Sequence, residues 1–244
     1  MCTVTLLPMG DHLRVMANRD ERHDRPIAHP PLISRAGGAL ALMPVDPQGG
    51  GTWIAATSSG LVFALLNGTG DVPAAAPSRG RLILELLDCM DLGQVTARAQ
   101  SLTWRGWPPH RLLASDGRRT LELRVRAGGL SVDTYEMRGP IGFTSVPPGD
   151  VQAEPARREL FAAMVAAATD PLDAQDAFHR HRWPDRPHVS VHMQRHDYGT
   201  KSITTVDVTP TRVRMRYEST GEVVGQPAWL SVERRHTRMV ALAS

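Results

Sequence analysis

A cysteine at the second position is the residue of this chain with the clearest chemical potential. If Met1 is removed, Cys2 becomes the N-terminal residue and carries a thiol and an α-amine together. The thiol is a nucleophile, and the amine, with an unperturbed pKa of about 7.7–8.0, accepts a proton near neutral pH. A single residue would then supply both groups that attack on a carbonyl requires.

A predicted hairpin brings charged side chains to this cysteine. Residues 3–8 and 13–18 are short apolar-rich runs typical of strands, and a polar turn containing glycine joins them. Antiparallel pairing across the turn places Cys2 opposite Arg19 and beside Asp20, with opposed Cβ atoms about 4.5–5.5 Å apart. The arginine would favour the thiolate, and the carboxylate would hold the ammonium or orient the arginine.

The alternative is that both features are structural. A cysteine near the start of a first strand is often incidental. Residues 18–21, Asn-Arg-Asp-Glu, also suit the polar end of a strand with a salt bridge. Their combination at hairpin distance favours the chemical interpretation.

A glycine-rich turn predicts the second half of a site. Residues 53–57 and 61–67 give the clearest hairpin signal, since both runs are apolar enough to be buried on two faces. Folding back across their turn brings Asn67 near Gly51 and Thr52. Backbone N–H groups beside an asparagine amide suit an oxyanion hole, and the same residues also suit a tight turn and a strand cap.

Six blocks of residues follow one another in a characteristic order. They are Met1-Cys2; Ala17 to Glu21 with Arg25-Pro26; Gly50-Gly51-Thr52-Trp53; Asn67 at the end of an apolar run; Arg79-Gly80; and Tyr198-Gly199-Thr200-Lys201-Ser202. The set resembles the NRDE family, also called the transport and Golgi organisation protein 2 family. The resemblance runs from Cys2 to around Asp207.

The resemblance implies an α+β fold, a four-layer αββα sandwich of two antiparallel sheets, similar to N-terminal-nucleophile hydrolases. The order of the predicted helices and strands suits the same architecture. The candidate catalytic residues are Cys2, Arg19, Asp20 and Asn67. The candidate substrate-binding residues are Asn18, Glu21, Gly51, Thr52, Tyr198 and Lys201. For the block around Lys201, the alternative is a hairpin whose glycine satisfies the backbone geometry.

One block departs from the family pattern. The resemblance implies a Ser-Asn pair after a leucine within residues 139–149, a stretch that we expect to be a loop. This chain has Phe143-Thr144-Ser145 instead. If that asparagine is an oxyanion donor in relatives, this chain lacks it, which weakens the expectation of hydrolysis.

Two functions from different classes follow. The resemblance associates the chain with haem handling and with acyl-lipid or acyl-CoA metabolism. The first function is an amidohydrolase or acyl-transfer enzyme that acts on a small amide, ester or thioester through Cys2. The second is a non-catalytic intracellular carrier or chaperone for haem or acyl-CoA lipids that uses the same pocket. Neither requires a cofactor or a metal, and haem would enter as cargo.

Composition narrows the class of protein. The formal charge is only +3, and no basic run is interleaved with aromatic residues, so we expect no nucleic-acid binding. Two cysteines, Cys2 and Cys89, argue against a disulfide framework or a multi-cysteine zinc site. Without a basic leader or a run of membrane length, we expect a cytoplasmic protein that does not insert into membranes. The 244 residues suit a single domain over residues 1–244.

The remaining elements should frame the site. Helical periodicity covers residues 78–102, with Asp91 as the cap of a second helix and Cys89 in the core. Residues 155–169 and 173–182 form two further helices in an outer layer. Residues 25–31 read as a loop around the sheet edge, and the tail from Arg234 as surface. Strands are predicted at residues 37–43, 112–115, 120–126, 130–137, 189–195, 201–208, 213–217 and 229–232.

Alternation in residues 189–195 places His188 and His192 on one strand face. At a rise of about 3.3 Å per residue they lie too far apart to share one small metal ion. We interpret the face as solvated or lining a pocket, with haem ligation by one histidine as the alternative.

Overall fold

The computed structural model describes residues 2–145, 153–221 and 228–234. Within these ranges the chain forms thirteen strands and four helices. The strands are β1 Cys2–Met9, β2 His12–Arg22, β3 His29–Ala36, β4 Ala39–Val45, β5 Ile54–Thr57, β6 Val62–Asn67, β7 His110–Ser115, β8 Arg119–Arg126, β9 Gly129–Glu136, β10 Ile141–Thr144, β11 Tyr198–Val208, β12 Arg212–Ser219 and β13 Trp229–Glu233. The helices are α1 Arg81–Leu84, α2 Leu92–Ser101, α3 Ala153–Ala167 and α4 Pro171–Arg180.

The strands form two antiparallel sheets. One has six strands in the order β10-β1-β2-β11-β12-β13, and the other has seven in the order β3-β4-β5-β6-β7-β8-β9. Helices α3 and α4 pack on the first sheet, and α1 and α2 pack on the second. The predicted α+β sandwich of two antiparallel sheets is therefore confirmed. No helix in the described ranges is long and apolar enough to cross a membrane.

The alternation of side chains along β1 and β2 lets these strands pack against the second sheet on one face and against helices α3 and α4 on the other. Val4, Leu6 and Val15 face the second sheet and belong to the main apolar core. Their neighbours Thr3 and Thr5 point to the opposite face, where they hydrogen-bond to side chains of α3 and α4. Because side chains alternate with a period of two, one strand can bury an apolar row and a polar row together.

The first hairpin has the predicted register. Cys2 pairs with Arg19, and Pro8 pairs with Leu13. Gly10 in the turn adopts a φ of 59°, which glycine tolerates without steric cost. The predicted juxtaposition of cysteine and arginine across β1 and β2 is correct.

Several other predicted elements are present with shifted bounds. The Asp91 side chain accepts from the Gln94 backbone N–H at 2.8 Å and caps α2 as expected. Cys89 is buried in the core. Helices α3 and α4 lie where helical periodicity predicted them, and Phe161 and Phe178 pack together between them.

Three predictions are wrong. Residues 189–195 are not a strand: a 3-10 turn at Pro187–Val189 is followed by bends, and the His192 and Gln194 N–H groups donate to His181 and Pro187 carbonyls. Val191 and Met193 are both buried, so apolar residues alternate in this segment as they would in a strand. Edge strand β3 begins at His29 inside the expected loop 25–31, and edge strand β10 lies inside the expected loop 139–149. Prolines are tolerated in β3 because an edge strand leaves some N–H positions unpaired.

The expected surface tail begins with a half-buried residue. Arg234 donates to the Thr209 and Ser59 carbonyls at 3.2 and 3.1 Å. The rest of that tail, residues 235–244, and residues 146–149 of the expected loop lie outside the described residues.

Candidate active site

The Cys2 thiol lies at the start of β1, partly buried between β10 and β2. Burial raises the pKa of the Cys2 thiol, and a hydrogen bond from the Asp20 backbone N–H opposes that rise. The thiol needs a nearby positive charge to ionise near neutral pH, because desolvation disfavours the thiolate.

Ser145 holds the main chain of Cys2 from the end of β10. The Cys2 nitrogen donates to the Ser145 Oγ at 2.6 Å, and the Ser145 N–H donates to the Cys2 carbonyl at 2.9 Å. Ser145 is only 3% exposed. If Met1 is removed, this hydroxyl lies within hydrogen-bond reach of the α-amine. Sequence reasoning missed the residue because it treated Phe143-Thr144-Ser145 only as a departure from a family block.

Asp20 offers a carboxylate oxygen without a partner. Thr200 Oγ1 donates to Asp20 Oδ1 at 2.6 Å. The buried Oδ2 has no hydrogen-bond partner in the part of the chain that the structure describes. Burial raises the pKa of Asp20, and the Arg157 charge and the Thr200 hydrogen bond act against that rise. An unsatisfied buried carboxylate oxygen is a favourable place for a cation, because leaving it unpaired costs desolvation energy.

Arg19 is oriented by Asp46 and Trp53. Its Nη2 lies 3.2 Å from Asp46 Oδ2, and its guanidinium carbon lies 4.6 Å from the centre of the Trp53 ring. Glu21 Oε2 is 3.7 Å from the same Nη2. Two roles were predicted for Asp20, and one of them, orienting Arg19, belongs to Asp46 instead.

Sequence reasoning also missed Asp46. Its carboxylate accepts from the Gln48 and Gly49 N–H groups at 3.0 and 3.2 Å, and from Arg25. Burial opposes ionisation, yet these N–H groups and the charges of Arg19 and Arg25 hold the pKa of Asp46 below its usual range. The Asp-Pro-x-Gly order was the available signal, because aspartate commonly accepts from backbone N–H groups in such turns.

The glycine loop is shaped by close packing. The Gly50 N–H donates to the Asp46 carbonyl at 2.9 Å, and the Thr52 N–H donates to the Gly80 carbonyl at 3.1 Å. A Cβ atom on Gly51 would lie 2.6 Å from the Gly80 oxygen. The N–H groups of Gly50 and Thr52 are thus engaged within the protein. Asn67 ends β6 opposite His110, with its side chain exposed.

Arg79 adds a positive charge that the candidate set omitted. Its Nε donates to the Pro109 carbonyl at 2.9 Å, and the half-buried side chain is close enough to Cys2 for their charges to interact. Burial lowers the pKa of Arg79, and the negative charges of Cys2 and Glu21 oppose that effect. The residue appeared in the sequence only as part of a motif block.

Comparison with known proteins relates part of this chain to a known family. Residues 1–113 match the family model for Transport and Golgi organisation 2. The resemblance that the motifs indicated is confirmed over these residues, which include β1, β2 and the glycine loop. No curated protein matches the chain in sequence.

Solved structures with a similar fold include a bile acid hydrolase and an acid amidase. A variant of conjugated bile acid hydrolase from Clostridium perfringens has a TM-score of 0.60 at 12% identity and covers 99% of each chain. A second mutant of that hydrolase has a TM-score of 0.56 at 11% identity, with 97% of each chain covered. The N-acylethanolamine-hydrolyzing acid amidase ortholog of Caenorhabditis elegans has a TM-score of 0.53 at 9% identity, covering 84% of this chain and 92% of that chain. At these identities the likeness concerns the fold.

Three candidate binding residues are engaged away from the thiol. Asn18 is fully buried on the helix-facing side of β2, where its amide donates to the His179 and Val191 carbonyls, each at 2.9 Å. Lys201 Nζ donates to the His23 carbonyl at 3.0 Å. Tyr198 lies opposite Arg22 at the far end of β2 and is 38% exposed.

The two histidines singled out from the sequence also lie apart from the thiol. His192 is paired with Arg182 at 2.8 Å, and His188 is exposed in the 3-10 turn. Within the described ranges, no three His, Cys, Asp or Glu side chains are grouped to hold a metal ion.

Proposed function

We propose that this chain is an N-terminal cysteine nucleophile hydrolase or acyl-transfer enzyme that acts on a small amide, ester or thioester. The observation that carries the proposal is the 2.6 Å contact between the Cys2 nitrogen and Ser145 Oγ. Cys2 lies directly opposite Arg19 in the same structure. Removal of Met1 would convert that nitrogen into an amine already held beside its own thiol.

The proposed reaction uses one residue for nucleophile and base. The Cys2 sulfur bonds to the substrate carbonyl carbon, and the thiol proton moves to the α-amine. The resulting ammonium returns that proton to the leaving amine or alcohol as the carbonyl re-forms, which leaves a thioester. Water then attacks the thioester, the amine accepts the water proton, and the carboxylic acid and the thiol are released. An amine acceptor in place of water gives acyl transfer.

The neighbouring charges have separate roles in this proposal. The unpaired Oδ2 of Asp20 receives the ammonium, which stabilises the state formed when the thiol loses its proton. Arg19 contributes positive charge from across the hairpin and is kept rigid by Asp46 and Trp53. A rigid, prepared charge is worth more in a partly buried site than a mobile one in water.

The oxyanion side of the site is assigned to Asn67 and the Gly51–Thr52 turn, with the charge of Arg79 beside them. Thr52 would have to exchange its Gly80 hydrogen bond to serve as a donor. Removing one oxyanion donor typically costs about 3 kcal/mol of barrier. Asn67→Ala should therefore slow turnover and have little effect on folding, because the Asn67 side chain is exposed.

The test begins with intact-mass measurement of purified protein, which reports removal of Met1. Iodoacetamide labelling at neutral pH should then modify Cys2 well before the buried Cys89. Short- and medium-chain p-nitrophenyl esters and p-nitroanilides serve as general acyl substrates, and Cys2→Ala should abolish their turnover. Retention of Met1, or equal labelling of the two cysteines, would contradict the proposal.

The second candidate function is a carrier for haem or an acyl-CoA thioester in the same pocket. It is favoured by the engaged N–H groups of Gly50 and Thr52 and by Ser145 at the position where the family pattern has asparagine. A haem titration followed by visible absorbance should saturate at about one equivalent if the carrier reading is right. Cys2→Ala separates the functions, because it abolishes hydrolysis and spares a carrier in which the thiol is not an axial ligand.

A further inference from the structure

A buried carboxylate in the seven-stranded sheet lies at the start of a chain of contacts that ends at Cys2. Glu122 on β8 is fully buried, and its Oε2 accepts from Arg124 at 2.6 Å and from the Tyr135 hydroxyl at 2.8 Å. Its Oε1 accepts from Arg111 Nε on the neighbouring strand β7. Burial opposes ionisation, but these hydrogen bonds hold the pKa of Glu122 below its usual range. Arg111 is thereby fixed at its Nε.

The other end of Arg111 reaches across to the six-stranded sheet. Its Nη1 donates to the Thr144 carbonyl at 2.9 Å, and its guanidinium carbon lies 5.9 Å from the centre of the Phe143 ring. Thr144 and Phe143 belong to β10, the edge strand that pairs with β1. Arg111 thus connects the two sheets at the end of the sandwich that holds the nucleophile.

The peptide between Thr144 and Ser145 links this arginine to the nucleophile. Its carbonyl accepts from Arg111, and its N–H donates to the Cys2 carbonyl at 2.9 Å. The Ser145 hydroxyl that follows meets the Cys2 nitrogen. A charged donor on a peptide carbonyl polarises the whole peptide unit, so the N–H on its other side becomes a stronger donor.

We propose that Arg111, fixed by Glu122, is a positioning residue for Cys2 and acts through the Thr144–Ser145 peptide. The inference rests on the proposed function, because it concerns the same nucleophile and the same amine. Arg111 holds the Thr144 carbonyl, which sets the direction of the Ser145 hydroxyl and so the direction of the Cys2 amine. The amine lone pair must point at the thiol for proton transfer, and a loosened Ser145 would leave it to rotate.

The test measures the rate constant of iodoacetamide labelling at Cys2 by peptide mass spectrometry, with Met1 removal verified for every variant. Rates are followed between about pH 6 and about pH 9, where a thiol and an α-amine titrate. The charged groups facing Cys2 are Arg19, Asp20 and Glu21 on β2 and Arg79 before α1. None of the variants below removes any of these.

Arg111→Met should slow Cys2 labelling about tenfold near neutral pH, the size expected from losing one charge-assisted hydrogen bond. The midpoint of the pH profile should move to higher pH, because the thiolate loses a well-directed ammonium. Arg111→Lys should restore part of the rate, since lysine keeps a cationic donor. Adding Glu122→Gln to Arg111→Met removes the buried negative charge whose Oε1 lost its arginine, and the slow rate should persist in this double variant.

Arg124→Met is the matched control. Arg124 also donates to Glu122, yet no contact from it to β10 is seen in the described ranges. It should leave Cys2 labelling close to that of the unmodified sequence. In a Ser145→Ala background, Arg111→Met should cause little further slowing, because its route to Cys2 is already broken.

The outcomes separate the two proposals. If Cys2 of the unmodified sequence labels selectively but Arg111→Met is silent, the positioning role fails and the proposed function stands. Equal slowing by Arg111→Met and Arg124→Met, or full slowing in the Ser145→Ala background, also overturns the positioning role. If Cys2 of the unmodified sequence labels no faster than Cys89, the proposed function fails and takes the positioning role with it.

Discussion

Asn18 and His179 bond to each other in both directions beneath the six-stranded sheet. The Asn18 amide donates to the His179 carbonyl at 2.9 Å, and Asn18 Oδ1 lies 2.8 Å from His179 Nδ1. With Asn18 Oδ1 as acceptor, Nδ1 carries the proton and Nε2 accepts from the Thr5 hydroxyl at 2.7 Å. The first residue of the Asn-Arg-Asp-Glu run therefore joins β2 to α4, while Arg19, the next residue, lies opposite Cys2.

This arrangement predicts a stability loss in mild acid. Burial lowers the pKa of His179 to about 3, from an ordinary value of 6.5, with the charges of Arg180 and Arg157 adding to the effect. Above pH 6.5 the His179 imidazole is mostly neutral in both the folded and the unfolded protein. As the pH falls toward 3, only the unfolded protein takes up a proton at this residue. The free energy of unfolding should therefore drop by about 2–3 kcal/mol between about pH 6.5 and about pH 4.5. Urea denaturation at several pH values measures it.

The matched variants are His179→Gln and His196→Gln. His179→Gln should lower stability at neutral pH and flatten the dependence on pH, because the buried imidazole no longer titrates. The His196 side chain is 97% exposed, so its replacement should leave the profile unchanged. A profile as steep in His179→Gln as in the unmodified sequence would assign the acid sensitivity to other groups.

Asp20→Asn should move the labelling profile of Cys2 to lower pH. The Asp20 carboxylate raises the pKa of the Cys2 thiol, after burial itself, so removing its charge favours the thiolate. In the proposed enzyme the same variant should slow turnover, because the ammonium loses its carboxylate partner. Faster labelling combined with slower turnover is the expected signature. Asp24→Asn, a change of an exposed carboxylate paired with Arg22, should alter neither.

Local pattern was sufficient to predict which residues of the first hairpin lie opposite each other. Two apolar runs, a short turn and the period-two alternation determine which residues of β1 and β2 face each other, so the pairing of Cys2 with Arg19 followed from spacing alone. The capping of α2 by Asp91 could likewise be predicted from neighbouring residues. Such features depend on residues within about one turn or hairpin of each other.

The contacts that were missed join distant parts of the chain. Ser145 meets Cys2 across 143 residues, and Asp46 meets Arg19 from the turn that follows β4 of the other sheet. Ser145 carries no local signal, since an isolated serine suits many loops, and the Asp-Pro-x-Gly turn at Asp46 does not indicate which arginine its carboxylate will contact. Residues 189–195 failed for the opposite reason. The apolar alternation is present, but Val191 is buried against Phe161 and Phe178 of α3 and α4, and Met193 is joined to Thr200 of β11 by hydrogen bonds that do not extend into a strand ladder. Tertiary packing overrode the local pattern.

Asp46→Asn should destabilise the protein by about 2–3 kcal/mol, because it weakens charge-assisted bonds to two partly buried arginines, Arg19 and Arg25. Urea denaturation gives the change in free energy of unfolding. Asp88→Asn is the control, since the Asp88–Arg98 pair is exposed and such pairs contribute about 0–1 kcal/mol. Similar effects in both variants would show that Asp46 does not anchor Arg19.

Gly51→Ala should be poorly tolerated even though alanine is the smallest side chain that could be added. A Cβ atom at Gly51 would lie 2.6 Å from the Gly80 oxygen and 2.7 Å from the Arg81 nitrogen, both main-chain atoms that cannot rotate away. We expect a loss of about 1–3 kcal/mol, as for other overpacked positions, and a lower Tm. Gly139→Ala is the control, because a Cβ there meets nothing within 4 Å and the backbone is not left-handed. If Gly51→Ala melts like Gly139→Ala, the close approach of the two loops does not constrain residue 51, and Gly51 must be explained by its N–H group instead.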